Sequence, residues 1–226
     1  MSKHLERDIA ALEQELLSMS AIVEEMIDQA WRSLVDRSTE LAQAVIDRDE
    51  IVNKKEVRIE EECLKILALH QPVAIDLRRT ATIIKINNDL ERIADLAVNI
   101  AERGQRLTSE HRFQLPNLVN TMAEQATRML SDALDAMVKS DYNAAVRVCS
   151  ADDEVDQALA AVVSELYETM RADNESIGPA IHALSVARSL ERIADLATNI
   201  AEDVMYLIKG DITRHRHKVF VSFADE

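Results

Sequence analysis

The chain is expected to fold as an all-α protein, built as two tandem, pseudo-symmetric three-helix bundles with six main helices. Three observations predict this. The segment Leu90–Glu102 returns as Leu190–Glu202 with one change, Val98 to Thr198, so the chain is a tandem duplication. Apolar side chains recur at helical spacing from end to end, while aromatics are only 3 % of the residues. The three prolines fall at helix starts and the three glycines near helix boundaries, so the punctuation agrees with the periodicity.

The elements follow in order. Residues 3–37 read as one long helix, carried by Leu5, Ile9, Leu12, Leu16, Met19, Val23, Met26, Ile27, Ala30 and Leu34, with Trp31 packing at the edge of the stripe. Ser38 can cap a short helix over residues 39–47. The next helix is expected to open at Asp49 and to run to about His70 along Val52, Ile59, Cys63, Ile66 and Leu67. Pro72 starts a long helix that carries the first motif copy and ends near Leu107, past Gly104. The first bundle is thus residues 1–107, followed by a polar linker at 108–113. The second bundle, 114–212, repeats the plan. A helix follows Pro116, a short helix runs from Ser140-Asp141 to about Val148, another opens at Asp152, and a last one runs from Gly178-Pro179 to Gly210. Residues 213–226 form a tail whose Arg214–Lys218 run reads as a loose basic end and whose Val219-Phe220-Val221 is the one hint of a strand.

A net charge of −15 argues against nucleic acid as the main ligand and against adhesion to an anionic membrane. It is compatible with bound cations or with a basic protein surface. No apolar run approaches a membrane span, and the N-terminus lacks a signal-peptide pattern. Cys63 and Cys149 sit in apolar helical stretches and read as buried free thiols, which suits the cytosol.

On a helical wheel at about 100° per residue, Leu90, Ile93, Ala94, Ala97, Ile100 and Ala101 make a core stripe. Glu91, Asp95, Asn99 and Glu102 make a second stripe of oxygen ligands, and Glu191, Asp195, Asn199 and Glu202 repeat it. Acidic groups four apart on a helix repel, so they must be protonated, solvated or neutralised by a cation. A second pair of oxygens, Asp49 and Asn53, corresponds to Asp152 and Asp156 in the other half. A tight turn makes the second and third helices of each half antiparallel, which brings this pair level with the stripe. Each half then offers five or six oxygen ligands on adjacent helices, suited to Mg²⁺, Mn²⁺ or iron. Arg92 and Arg192 are placed to balance the charge. The plainer readings are a solvated acidic face and, for Asp49 and Asp152, acidic first turns that complement helix dipoles.

Catalysis finds little support. Di-iron carboxylate oxidases use Glu-x-x-His on two helices, and that spacing is absent here. No phosphate loop, nucleophile motif or Cys-x-x-Cys is present. The alternatives are a metal-free helical adaptor docking through its acidic faces and, remotely, a di-metal oxidase.

The duplicated Leu-Glu-Arg-Ile-Ala-Asp with Asn-Ile-Ala-Glu resembles the PhoU family of phosphate-transport regulators. So do Asp49-x-x-Val52-Asn53, Gln71-Pro72, Asp76-Leu77-Arg78 and Ile208-Lys209-Gly210. The resemblance runs over about residues 5–215. The family motif often reads Glu-Arg-Ile-Gly-Asp-His, so Leu96 and Leu196 stand where relatives carry histidine, while the carboxylates are kept. The resemblance implies paired three-helix bundles with multinuclear iron or zinc clusters. It implies a cytoplasmic, non-enzymatic negative regulator of phosphate uptake and phosphate-starvation signalling, peripheral to the inner face of the membrane through its partners. Those partners would be a phosphate-specific ABC transporter and a sensor histidine kinase. Oligomeric state is left open, a homodimer included.

Overall fold

The computed structural model describes residues 3–108 and 113–210. Among these residues the chain forms six α-helices and one short 3₁₀ turn: α1 (Lys3–Val35), α2 (Thr39–His70), α3 (Ala74–Thr108), α4 (Asn117–Lys139), α5 (Tyr142–Ala172) and α6 (Ile177–Lys209). Helices α1–α3 pack as one bundle and α4–α6 as another, and the bundles meet chiefly through α3 and α6. No described helix is long and apolar enough to cross a membrane. The expected basic run and the hint of a strand in the tail, and most of the linker, lie outside the described residues.

Two expected helix boundaries are corrected. The short helix at 39–47 and the helix opening at Asp49 are one continuous α2, and the short helix ending near Val148 is continuous with the helix expected at Asp152, as α5. Ser38 does cap α2, its side chain accepting from the Leu41 amide at 3.2 Å, and Asp141 caps α5 by accepting from Ala144 at 3.0 Å. The polar residues around Asp49 and Asp152 suggest a break, but no glycine or proline enforces one. Beneath them the buried stripe runs on. Ala42, Val45, Val52, Ile59 and Cys63 are buried in α2, and Ala145, Val148, Val155, Val162 and Leu166 match them one for one in α5. Helix α1 also stops two residues early, because Arg37 takes a left-handed φ of 52°. Its guanidinium donates to the carbonyls of Leu107 and Phe113, which ties the end of α1 to the end of α3.

The core is continuous through both halves. Leu90, Ile93, Ala94, Ala97, Leu190, Ile193, Ala194 and Ala197 are all fully buried, so the apolar stripe of each motif copy forms the seam of the molecule. Each fully buried Leu or Ile contributes on the order of 1.5–3 kcal/mol by area transfer. Asn87 Nδ2 donates to the Glu56 carbonyl at 2.9 Å, fixing the register of α3 on α2. Gly210, at φ 80°, closes α6 by donating to Tyr206 O at 2.8 Å.

Helices α3 and α6 run antiparallel. Lys85 Nζ meets Asp203 Oδ1 at 2.7 Å, and a Cβ placed on Gly210 would lie 2.9 Å from Arg78 Nη1. These two contacts set a register in which Ala94 lies opposite Ala194. Both are fully buried, and their small side chains let the two helices cross closely.

Candidate metal centre

In the first half, α2 supplies Asp49, Asn53 and Glu56, and α3 supplies Glu91, Asp95 and Asn99. Asn53 Nδ2 donates to Asp49 Oδ2 at 2.8 Å. The other oxygens of this pair, Asp49 Oδ1 and Asn53 Oδ1, are buried and accept no hydrogen bond. Two lone acceptors facing carboxylates are a donor set without a donor partner, which is the chemistry a cation satisfies.

The electrostatics agree. Partial burial, then the charges of Asp95, Glu56 and Asp49, push Glu91 above the ordinary carboxylate range, with Arg92 opposing. Burial and Asp49 raise Asp95. The second half behaves alike. Burial, then Asp195, Asp156 and Asp152, raise Glu191, and burial with Asp156 raises Asp195, Arg192 opposing in both cases. The expected level of α2 against α3 and of α5 against α6 therefore holds. The plainer reading of Asp49 and Asp152 as acidic first turns does not hold, because each lies ten residues past the first residue of its helix. The dipole of a helix start fades within a turn, so it cannot account for either one.

The arrangement differs from expectation in further respects. Asp95 and Asn99 open, together with Asp195 and Asn199, onto one cleft of about 320 Å³ between α3 and α6. Arg92, Arg192, Leu96 and Leu196 complete its walls, so the two oxygen stripes share a space across the pseudo-twofold axis. Arg92 also pairs with Asp89 at 3.4 Å, which divides its charge between that residue and the stripe. Glu102 is exposed whereas Glu202 is 6 % exposed, so the two halves are not equivalent at this position. Cys63 is buried and Cys149 half-buried, both free.

Sequence reasoning missed Glu56, a half-buried carboxylate that burial and Glu60 raise and that Glu91 feels. The duplication hides it, since Leu159 holds the matching place in α5. Its spacing of three from Asn53 was the available signal. Among the described residues no three His, Cys, Asp or Glu side chains stand close enough to hold one ion jointly in this arrangement. Asp49, Asn53, Glu91 and Asp95, with Asp152, Asp156, Glu191 and Asp195, nevertheless supply the oxygen chemistry a cation needs on facing helices. Mutually repelling carboxylates would have to turn inward to bind it.

Comparison with known proteins matches the PhoU domain to residues 16–104 and 119–204. The chain is 36 % identical to the phosphate-specific transport system accessory protein PhoU homolog of Pseudomonas aeruginosa over 216 residues, covering 95 % of this chain and 89 % of the relative. It is 34 % identical to the phosphate-specific transport system accessory protein PhoU of Escherichia coli K12 over 220 residues, covering 95 % and 91 %. Among solved structures it is similar to PhoU from Pseudomonas aeruginosa, with a TM-score of 0.87 and 36 % identity over 91 % of this chain and 99 % of that one. It is similar also to the phosphate transport system regulatory protein PhoU from Streptococcus pneumoniae, with a TM-score of 0.86 and 29 % identity over 92 % and 98 %.

Proposed function

The chain belongs to the PhoU domain family, and on that premise we propose that it is a cytoplasmic negative regulator of phosphate uptake and phosphate-starvation signalling, acting by protein contact and not by catalysis. The names of the relatives, accessory and regulatory proteins of phosphate transport, support the transport side of this reading. The partners are a phosphate-specific ABC transporter, which would hold the protein at the inner face of the membrane, and a sensor histidine kinase. The second partner rests on the family resemblance alone.

Carboxylate-bound cations belong to the same reading, iron or zinc first, with magnesium or manganese as oxygen-preferring alternatives. Asp49, Asn53, Glu91, Asp95 and Asn99 would hold the first set, and Asp152, Asp156, Glu191, Asp195, Asn199 and Glu202 the second. Glu102 is the weakest candidate, because neither Glu91 nor Asp95 feels its charge. Bound cations would supply positive charge that neutralises the facing stripes. The single observation that carries the proposal is the pair of buried, unpartnered oxygens of Asp49 and Asn53 beside carboxylates raised by crowding. Because Asp95 and Asp195 open onto one cleft, a cation in either half would alter a surface that both halves share.

The test is elemental analysis of chelator-free protein beside the Asp95→Asn/Asp195→Asn variant, with binding of both to the transporter's ATPase subunit and to the kinase's cytoplasmic region. Metal in the native protein, lost together with binding in the variant, supports the proposal. Binding of both partners by a protein that never takes up metal would replace it with the metal-free adaptor. Failure to bind either partner, loaded or not, would end the regulatory reading.

A further inference from the structure

Helix α3 begins beyond the point where α6 ends. Arg78 lies beside Gly210 and Lys85 pairs with Asp203, so these two residues mark the side of α3 that faces α6. Ile75 falls on the same side, three residues before Arg78. It carries that face about 5 Å past the end of α6, and it is exposed. Leu69, Val73 and Leu77, at the same α2–α3 corner, are exposed as well. Leu69 at 78 % and Val73 at 74 % are the two most exposed large apolar side chains among the described residues. Large apolar side chains grouped in this way mark an interaction surface.

The duplication points to what covers it. After α3 the chain returns apolar residues to its bundle. Phe113 is buried, Leu115 packs against the core, and Arg37 donates to the Phe113 carbonyl at 3.2 Å. After α6, residues 211–226 carry Val219-Phe220-Val221-Ser222-Phe223, with two of the chain's three phenylalanines. Val219 is nine residues past Gly210, and an extended chain of that length reaches about 30 Å. Gly210 lies beside Arg78, so the corner is well within reach. Charge favours the same return. Arg214, Arg216 and Lys218 precede the apolar stretch, and residues 211–226 hold as many acidic as basic side chains, so the net charge of −15 belongs to the rest of the chain. Leu69 itself lines a groove of about 400 Å³ between α1 and α2, where the carboxylates of Asp8, Glu15 and Glu62 outnumber the cations of Arg58 and Lys65.

We propose that Val219–Phe223 docks back onto the corner formed by Leu69, Val73, Ile75 and Leu77, with the basic run drawn to the acidic surface beside it. The occupant is the chain's own C-terminal segment. Tethering makes the contact intramolecular, so a small apolar surface is enough to hold it. The corner is then a docking face under an internal cover, open to another apolar segment only when the cover is displaced. The proposal is independent of any bound cation.

The test places a nitroxide on the full chain at Ala224→Cys, in a Cys149→Ser background, and reads the paramagnetic broadening of methyl signals. Cys63 is fully buried and stays unmodified. The methyls of Leu69, Val73, Ile75 and Leu77 are expected to broaden strongly, and those of Ile177 and Ile181, at the far end of α6, to stay sharp. Phe220→Ser/Phe223→Ser is expected to reduce the broadening several-fold with Tm unchanged, and Val73→Ser, at an exposed position, to reduce it in part. High salt is expected to weaken it by screening the basic run. Broadening of the corner no stronger than in the double variant overturns the proposal, as does broadening centred on any other surface. Broadening that appears when spin-labelled protein is mixed with isotope-labelled, nitroxide-free protein assigns the contact to a second copy and overturns it too.

Discussion

Replacing Asp95 and Asp195 by asparagine is expected to stabilise the cation-free protein. Asp95 follows Glu91 by four residues on α3 and also feels Asp49 across the helix interface. A like-charge pair at that spacing costs about 0.2–0.5 kcal/mol, and the cross-helix contact adds a comparable amount. Each substitution should therefore return about 0.5–1 kcal/mol, and the pair about 1–2 kcal/mol. For a chain of this size that raises Tm by roughly 2–4 °C per kcal/mol. The pH dependence has a fixed sign. Folding raises these carboxyls above their unfolded values, so the folded state binds protons first as pH falls. Their destabilisation is full at neutral pH and fades as pH falls through the raised folded values towards the ordinary range, near 3.8 for aspartate and 4.5 for glutamate. The advantage of the variant should fade over the same window. Saturating zinc or iron should reverse the order, because a ligand at a hundred times its dissociation constant stabilises the native state by about 2.7 kcal/mol. The assay is urea unfolding with chelator and with metal, at neutral and acidic pH. A cation-free double variant less stable than the wild type would refute the crowding argument.

Other expectations follow from the packing. Lys85→Met should cost about 1–3 kcal/mol in urea unfolding, since it takes a charged partner from the buried Asp203 carboxylate while Lys85 itself is partly exposed. Asp203→Asn made in the Lys85→Met background should recover part of that loss, and a double-mutant cycle measures the coupling. Ser38→Ala and Asp141→Ala should each cost about 1 kcal/mol, measured by thermal unfolding, because each removes the side chain that caps a long helix. Ala94→Leu should cost about 1–3 kcal/mol by overpacking the crossing of α3 and α6, and it should loosen one half from the other in hydrogen exchange.

The six long helices were legible because buried residues at helical spacing, caps and prolines all agreed. The unity of α2 and α5 was harder to read. Around Asp49 and Asp152 the exposed side chains are polar enough to mimic a cap, while the evidence of continuity lies seven residues apart, from Val45 to Val52 and from Val148 to Val155. The oxygen stripes were visible as repeats. Their meeting in one cleft was not, because a duplication identifies the unit and says nothing about how two units pack. The alanines that alternate with leucine and isoleucine in each stripe, Ala94 and Ala194 among them, were the trace of that crossing. Glu56 escaped for the opposite reason, since it belongs to one half only.

The Lys85–Asp203 pair joins the halves at one end of the seam, and its mirror positions hold Ser185 and Arg103, which cannot form the same bond. The middle of the seam, Ala94 against Ala194, is by contrast nearly self-complementary. A lone ancestral unit could have met its own copy on that face, as an isologous dimer does. Once the two copies were fused, each seam position could be tuned separately, and the lysine–aspartate pair is a contact that gives the molecule a polarity. Its two ends are then chemically distinguishable, so one nearly symmetric scaffold presents two different faces.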